Sequence, residues 1–183
     1  LINDILLFSR HDIHSSDFIE TDLNMLVKET VSELEIEIEK ANARIVIEQL
    51  PCVWAIPTLI RQLFYNLINN AIKFRKTNTP PVVIIFTDKT NHAEENGLAK
   101  SENDSEYYTI CIKDNGIGFD SKYAEDIFVV FKRLHSHQEF EGNGVGLSIC
   151  KKVVEKHNGF ITANSKLNEG STFIIGLPAT QLA

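Results

Sequence analysis

Apolar positions recur at helical spacing at Ile2, Ile5 and Leu6 in the opening stretch Leu1–Arg10, which predicts a helix running into a polar linker from His11 to Asp17. A second amphipathic pattern runs from Asp22 to Ala41 through Leu23, Leu26, Val27, Val31, Leu34 and Ile38. Its acidic outer positions, among them Glu29, Glu33 and Glu37, read as a solvated helix face. Ile45–Ile47 predicts a strand. Pro57 opens the most regular helix, which reaches Phe74, because proline is tolerated in a first helical turn. Val82–Phe86 and Tyr107–Ile112 are strand runs, and the polar stretch Thr87 to Glu106 between them reads as a long hairpin loop. Ile127 to Leu134 mixes apolar and basic residues. Val145 to Lys156 predicts a helix ended near Asn158-Gly159 by a left-handed cap. Phe160–Asn164 and Ser171–Leu177 form a closing hairpin with Gly170 in its loop. The sum is an α/β fold: a two-layer sandwich with one mixed, mainly antiparallel sheet and helices on one face.

Composition narrows this picture little. The 183 residues are 43% apolar, enough for one domain with a core, and the formal net charge of -7 without a basic run argues against a nucleic-acid partner. Cys52, Cys111 and Cys150 lie far apart beside apolar neighbours, the pattern of reduced core cysteines in a cytoplasmic protein. No apolar run approaches the roughly 18 residues that span a bilayer. Because the chain opens inside a helical pattern, it is expected to be part of a longer protein, with any membrane anchor outside it.

Three motifs carry candidate chemistry. On the helix from Pro57 to Phe74, Leu59, Leu63, Leu67 and Ala71 build an apolar stripe, while Asn66, Asn69, Asn70 and Lys73 project from one face. Asparagine is a mediocre helix former, and a row of carbonyl oxygens with one cation suits a hydrated Mg²⁺ and the phosphates it bridges. A polar outer face that uses asparagine is the other reading, and the helix alone leaves both open. Asp114-Asn115-Gly116-Ile117-Gly118 follows a strand, where a carboxylate can accept from an exocyclic amine and glycines let the backbone pass a flat ligand. It can equally be an Asn-Gly turn. Gly142-Asn143-Gly144-Val145-Gly146-Leu147 precedes a helix, so its amides can converge on phosphate at the positive helix end, or the segment can be a hinge. It is neither a dinucleotide fingerprint nor a P-loop.

Taken in this order, the three motifs resemble the ATP-binding domain of two-component sensor histidine kinases, part of the superfamily shared with gyrase B subunits, MutL-type repair ATPases and heat-shock chaperones. The resemblance covers nearly the whole chain. It implies a Bergerat-type ATP-binding fold, with residues 1–20 as the end of a dimerisation helix plus linker and residues 21–183 as the catalytic domain. It also implies ATP and Mg²⁺ as cofactors. Asn70, with Asn66, would hold Mg²⁺, and Lys73 and Arg133 would neutralise phosphate charge, so that Asn66, Asn70, Lys73 and Arg133 form the catalytic set. Asp114 would contact the adenine amino group, with Phe74, Gly116 and Gly118 around it. The segment Gly142, Gly144, Val145, Gly146, Leu147 would close a lid over the triphosphate. Ile127–Leu134 is similar to the family's phenylalanine box, in which Phe128 and Phe131 pin the lid base and Arg133, with Lys132, reaches the γ-phosphate. Gly170-Ser171-Thr172-Phe173 matches a pattern that sets Thr172 beside the adenine pocket.

The family often has an acidic residue before the proline of the asparagine helix; Ile56 stands there, which predicts a weaker helix start. His11-Asp12 mimics a phosphoacceptor pair, but Leu6–Arg10 resembles the end of the second dimerisation helix, whereas the acceptor belongs on the first. His135 and His137 lack the second ligand pair of a metal site. The expected reaction is transfer of the γ-phosphoryl group of Mg-ATP to a histidine on a dimerisation domain of the same kinase, with a response regulator downstream. A gyrase-like or MutL-like ATPase would carry a glutamate one turn before the magnesium asparagine, and the positions before Asn70 hold none. The remaining alternative is a degenerate or regulatory nucleotide-binding module; the opening helix argues against an anti-sigma-type serine kinase. A cytoplasmic, monomeric domain is expected.

Overall fold

The computed structural model describes residues 17–88, 107–132, 134 and 144–179. The expected opening helix, His11, and almost all of the Thr87–Glu106 connection lie outside the described residues, as do Arg133, His135, His137 and Gly142. Among these described residues, seven strands and four helices follow in chain order. They are β1 (Ile19–Asp22), α1 (Leu23–Glu33), α2 (Glu35–Ala41), β2 (Arg44–Ile47), β3 (Cys52–Ala55) and α3 (Pro57–Lys73). Then come β4 (Val82–Asp88), β5 (Tyr107–Asp114), α4 (Gly146–Lys156), β6 (Phe160–Lys166) and β7 (Gly170–Pro178), with two short 3₁₀ turns at Ser121–Tyr123 and Asp126–Phe128.

The main sheet has the order β2-β4-β5-β7-β6, parallel only between β2 and β4 and antiparallel elsewhere. This is the mixed, mainly antiparallel sheet that the apolar pattern predicts. Strand alternation sends Val83, Ile85, Ile110, Ile112, Phe173, Ile175 and Ile161 to one face, where they join the core cluster with the helices. Cys111 and Ile174 occupy the opposite face and fall outside that cluster.

Three local features depart from expectation. First, β1 and β3 pair antiparallel as a separate two-stranded sheet beside the main one, with Ile19 opposite Ala55 and Asp22 opposite Cys52. Cys52 is therefore exposed at a strand end, not a core cysteine; Cys111 and Cys150 are buried. Second, the Asp22–Ala41 helix breaks at Leu34, whose φ of -99 and ψ of 11 separate α1 from α2. Thr30 Oγ1 donates to the Leu26 carbonyl at 2.8 Å and Ser32 Oγ to the Lys28 carbonyl at 3.1 Å. Hydroxyl back-bonding of this kind bends helices, while Leu34 itself stays fully buried. The acidic outer face is also not only solvated, since Glu29 and Glu33 both hold Arg61 of α3. Third, Gly170 begins β7 with φ +110 and is not a loop residue.

α3 is the central support. Leu63, Phe64, Leu67 and Ile68 are fully buried, so one side of a 17-residue helix fills the core and the other is left for polar work. Leu67→Ala is expected to lower unfolding free energy by about 2–5 kcal/mol, as read from urea denaturation, because the packed site cannot collapse around the lost methyls.

Candidate functional site

A cleft of about 900 Å³ opens between α3, the loop that leaves β5 and the start of α4. From α3 come Asn66, Asn69, Asn70 and Lys73, all half-buried and, as the helical spacing predicts, on one wall. Lys73 Nζ lies 4.5 Å above the Phe74 ring, whose face draws the ammonium towards the cleft floor. Asn66 is engaged within the protein. Its Nδ2 donates to the Gly146 carbonyl at 3.4 Å, and its Oδ1 accepts from Gln62 at 3.3 Å.

Asp114 is the last residue of β5, and its side chain enters the cleft from the sheet. Its Oδ1 accepts from the Gly116 amide at 2.7 Å and from the Ser171 amide at 3.3 Å. Burial pushes its carboxyl above the ordinary range, opposed by those two hydrogen bonds and by the charge of Lys76. The loop behind it is clasped from both sides. Ile117 N–H donates to the Phe74 carbonyl at 2.9 Å, satisfying an orphan acceptor at the end of α3, and the Asn168 amide donates to the Ile117 carbonyl at 2.7 Å. Asn115 is a structural tie, accepting from the Val82 amide at 2.8 Å and donating to the Pro80 carbonyl at 3.1 Å.

The third wall is the start of α4, with Gly144, Val145, Gly146 and Leu147 lining the cleft. Among the described residues no side chain caps this helix, whose first amides face the cleft as an anion would need them. Phe131 N–H donates to the Gly144 carbonyl at 3.0 Å, joining the two ends of the segment between them. Lys132 also lines the cleft, where its Nζ pairs with Asp126 at 2.6 Å.

The structure thus brings Asn66, Asn70, Lys73, Phe74, Asp114, Gly118, Lys132, Gly144, Val145, Gly146 and Leu147 to one cleft. Gly116 lies just beneath it, packed against the Phe74 carbonyl. Arg133 and Gly142 fall outside the described residues. Two expectations are corrected. Thr172 does not line the cleft; Ser171 and Phe173 do, because neighbours on a strand face opposite ways and Phe173 has the core-facing parity. Phe131 does not pin the lid base to the core: it is 68% exposed with φ +64, while Phe128 is buried and meets Phe173 edge-on at 6.5 Å. Glu37 and Lys40 of α2 add a rim to the cleft that the sequence did not signal, since both sit in a charge run that reads as solvent-facing.

Among the described residues no group of three or more His, Cys, Asp or Glu is placed to hold a metal. A metal here would rest on amide oxygens and on the ligand's own oxygens, which fits Mg²⁺ arriving with phosphates. No helix among the described residues is long and apolar enough to cross a membrane.

An α/β sandwich with an amide-lined cleft, a half-buried carboxylate at one end and a glycine-rich helix N-terminus at the other defines a nucleotide-binding domain. A profile of the histidine kinase-, DNA gyrase B- and HSP90-like ATPases matches residues 55–181. The chain is 37% identical over 178 residues to cyanobacterial phytochrome A of Nostoc sp. (strain PCC 7120 / SAG 25.82 / UTEX 2576), covering 97% of this chain and 21% of that protein. It spans about a fifth of the length of the curated relatives it matches first. Among solved structures, the catalytic domain of histidine kinase ThkA superposes with a TM-score of 0.68 at 27% identity, covering 89% of this chain and 96% of that one. Histidine kinase ThkA in complex with response regulator protein TrrA shows the same fold, with a TM-score of 0.69 at 24% identity over 98% of this chain and 46% of that one. The chain belongs to the histidine kinase-, DNA gyrase B- and HSP90-like ATPase family, as an ATP-binding catalytic domain of the sensor histidine kinase kind.

Proposed function

We propose that this domain binds Mg-ATP in the cleft and transfers its γ-phosphoryl group to a histidine on the dimerisation domain of the same kinase. The observation that carries this reading is Asp114, a half-buried carboxylate facing polar groups from two helices across one cleft. With Oδ1 held by two backbone amides, the other oxygen is left to accept from the adenine amino group. At the far end, Lys73, Lys132 and the first amides of α4 offset the triphosphate charge, with Arg133 and Gly142 assigned to the same end from sequence. Lys132 must exchange its ion pair with Asp126 for a phosphate oxygen. Asn70, with Asn66, would hold Mg²⁺, which when bound neutralises charge on the phosphate oxygens. Thr172 is left out of the adenine contacts.

Transfer is in-line: the imidazole nitrogen forms a P–N bond as the bond to the bridging oxygen of ADP breaks, so positioning and charge supply the catalysis. The absence of glutamate before Asn70 disfavours activation of water over transfer to a protein. Val129, Val130 and Phe131 are all exposed beside the cleft mouth and offer an apolar surface for the phosphoacceptor domain. A response regulator would then take the phosphoryl group, in a kinase whose catalytic domain lies in the cytoplasm.

The test supplies a separately expressed dimerisation domain with this chain and labelled ATP. An acid-labile phosphohistidine is expected on the acceptor, and Asn70→Ala should slow its appearance by about 100-fold, equivalent to roughly 3 kcal/mol of the barrier. An acceptor that stays unlabelled while ATP binds normally would leave the domain a nucleotide-responsive module without kinase activity.

A further inference from the structure

α3 and α4 pack antiparallel, and their register can be followed along their length. At the site end, Asn66 reaches the Gly146 carbonyl at 3.4 Å; further back, Cys150 Sγ lies 3.8 Å from the Leu63 carbonyl. Both contacts are long and weak. At the opposite end the register is closed by much shorter bonds through one side chain, His157, which follows the last residue of α4 and is 3% exposed. Its Nε2 accepts from the Ile56 amide at 3.0 Å, immediately before Pro57 opens α3. Its Nδ1 lies 2.7 Å from the Val153 carbonyl one turn back, so Nδ1 carries the proton and Nε2 is bare. The Phe18 ring lies 5.1 Å away, at the point where the chain enters the domain. Ile56 has no side chain able to cap α3, and the imidazole takes up the amide that a capping segment would otherwise leave buried and unpaired.

We propose that neutral His157 is a positioning residue for nucleotide binding: it locks the start of α3 to the end of α4 and so fixes how the asparagine face meets the amides at the start of α4. The inference rests on the nucleotide reading of the cleft. α3 is about 25 Å long at 1.5 Å per residue, so His157 touches neither ATP nor Mg²⁺ and acts only through helix register. A proton on Nε2 would set a donor against the Ile56 N–H donor and break the lock. Burial holds the imidazole below its ordinary value, opposed by the bond to the Val153 carbonyl, and the charge of Lys156 lowers it further; Ile56 and Phe18, which meet it from other elements, carry no charge. A group lowered on folding contributes stability that is complete above its unfolded value and is lost as pH falls through the folded one, so the lock stays shut at neutral pH and opens only on acidification through that lowered value.

The test measures affinity for a non-hydrolysable ATP analogue with Mg²⁺ by calorimetry in steps from pH 7.5 down to the lowest pH at which the domain stays folded. It uses wild type, His157→Gln and His157→Phe, each checked for folding by circular dichroism. Glutamine retains an acceptor and a donor without titrating, whereas phenylalanine keeps the bulk and loses both bonds. At pH 7.5, His157→Gln should stay close to wild type and His157→Phe should bind about fivefold or more weakly. Between pH 7.5 and the acid end of that range, wild type should lose about fivefold more affinity than His157→Gln, a comparison in which phosphate and Asp114 titration cancel. Equal pH curves for wild type and His157→Gln would overturn the proposal, as would full affinity in folded His157→Phe. If the phenylalanine variant does not fold, the glutamine comparison decides. Wild type that fails to bind at pH 7.5 would instead overturn the nucleotide reading beneath it.

Discussion

Asp114→Asn is expected to weaken ATP-analogue binding by about 10- to 100-fold, the worth of a hydrogen bond to a charged acceptor, while leaving the fold at least as stable as wild type. The two effects separate because the carboxylate is held against its own desolvation. Its value is raised on folding, with burial the largest cause. A raised acid contributes stability below its unfolded value near 3.8, and that contribution is gone once pH has risen through the folded value. At neutral pH the ionised group is therefore a burden on the empty domain. Asparagine removes the charge but keeps an oxygen for the Gly116 and Ser171 amides. Calorimetry and urea denaturation at pH 7 check the two halves. Undiminished binding would remove Asp114 from adenine recognition, and a large loss of stability would make it a structural residue.

The second large effect is expected at the β6–β7 turn, where the backbone crosses under the cleft. A Cβ on Gly118, at φ +61, would lie 2.1 Å from the Lys166 carbonyl oxygen; one on Gly170, at φ +110, would lie 2.1 Å from the Asp114 carbonyl oxygen. Both clashes are with backbone, which cannot rotate away, and both dihedrals are unfavourable for a side chain. Gly118→Ala and Gly170→Ala should each cost about 2–5 kcal/mol in urea denaturation. Gly146→Ala is the control: its nearest contact is 3.8 Å, to the Asn66 side chain, and its stability should be nearly unchanged. If all three variants melt alike, the crossing is softer than its geometry says.

What the sequence made legible follows from how local each signal is. α3 is readable because the stripe that fills the core and the amide face that lines the cleft belong to one helix, repeating at its period. β1 and β3 are not, since four residues such as Ile19-Glu20-Thr21-Asp22 carry no alternation strong enough to stand alone, and their pairing joins segments far apart in the chain. The break at Leu34 leaves the apolar spacing intact, and the hydroxyl bonds of Thr30 and Ser32 that accompany it are not visible in a hydrophobic pattern. Reading Thr172 for Ser171 is an error of a single residue, which on a strand is enough to reverse the face. Phe131 sits in an apolar run that looks like core, but its backbone is turned to reach Gly144. His157 gives no signal at all: a lone histidine after a helix becomes informative only when the Ile56 amide is found against it.

The hydrogen bond from Phe131 to Gly144 has a consequence for how such domains can diversify. It ties the backbone at Phe131 to the backbone at Gly144 beside the cleft, so whatever joins these two residues meets α4 at one fixed place. Relatives with different chains between these two residues would still share the same two points of attachment beside the ATP-binding floor.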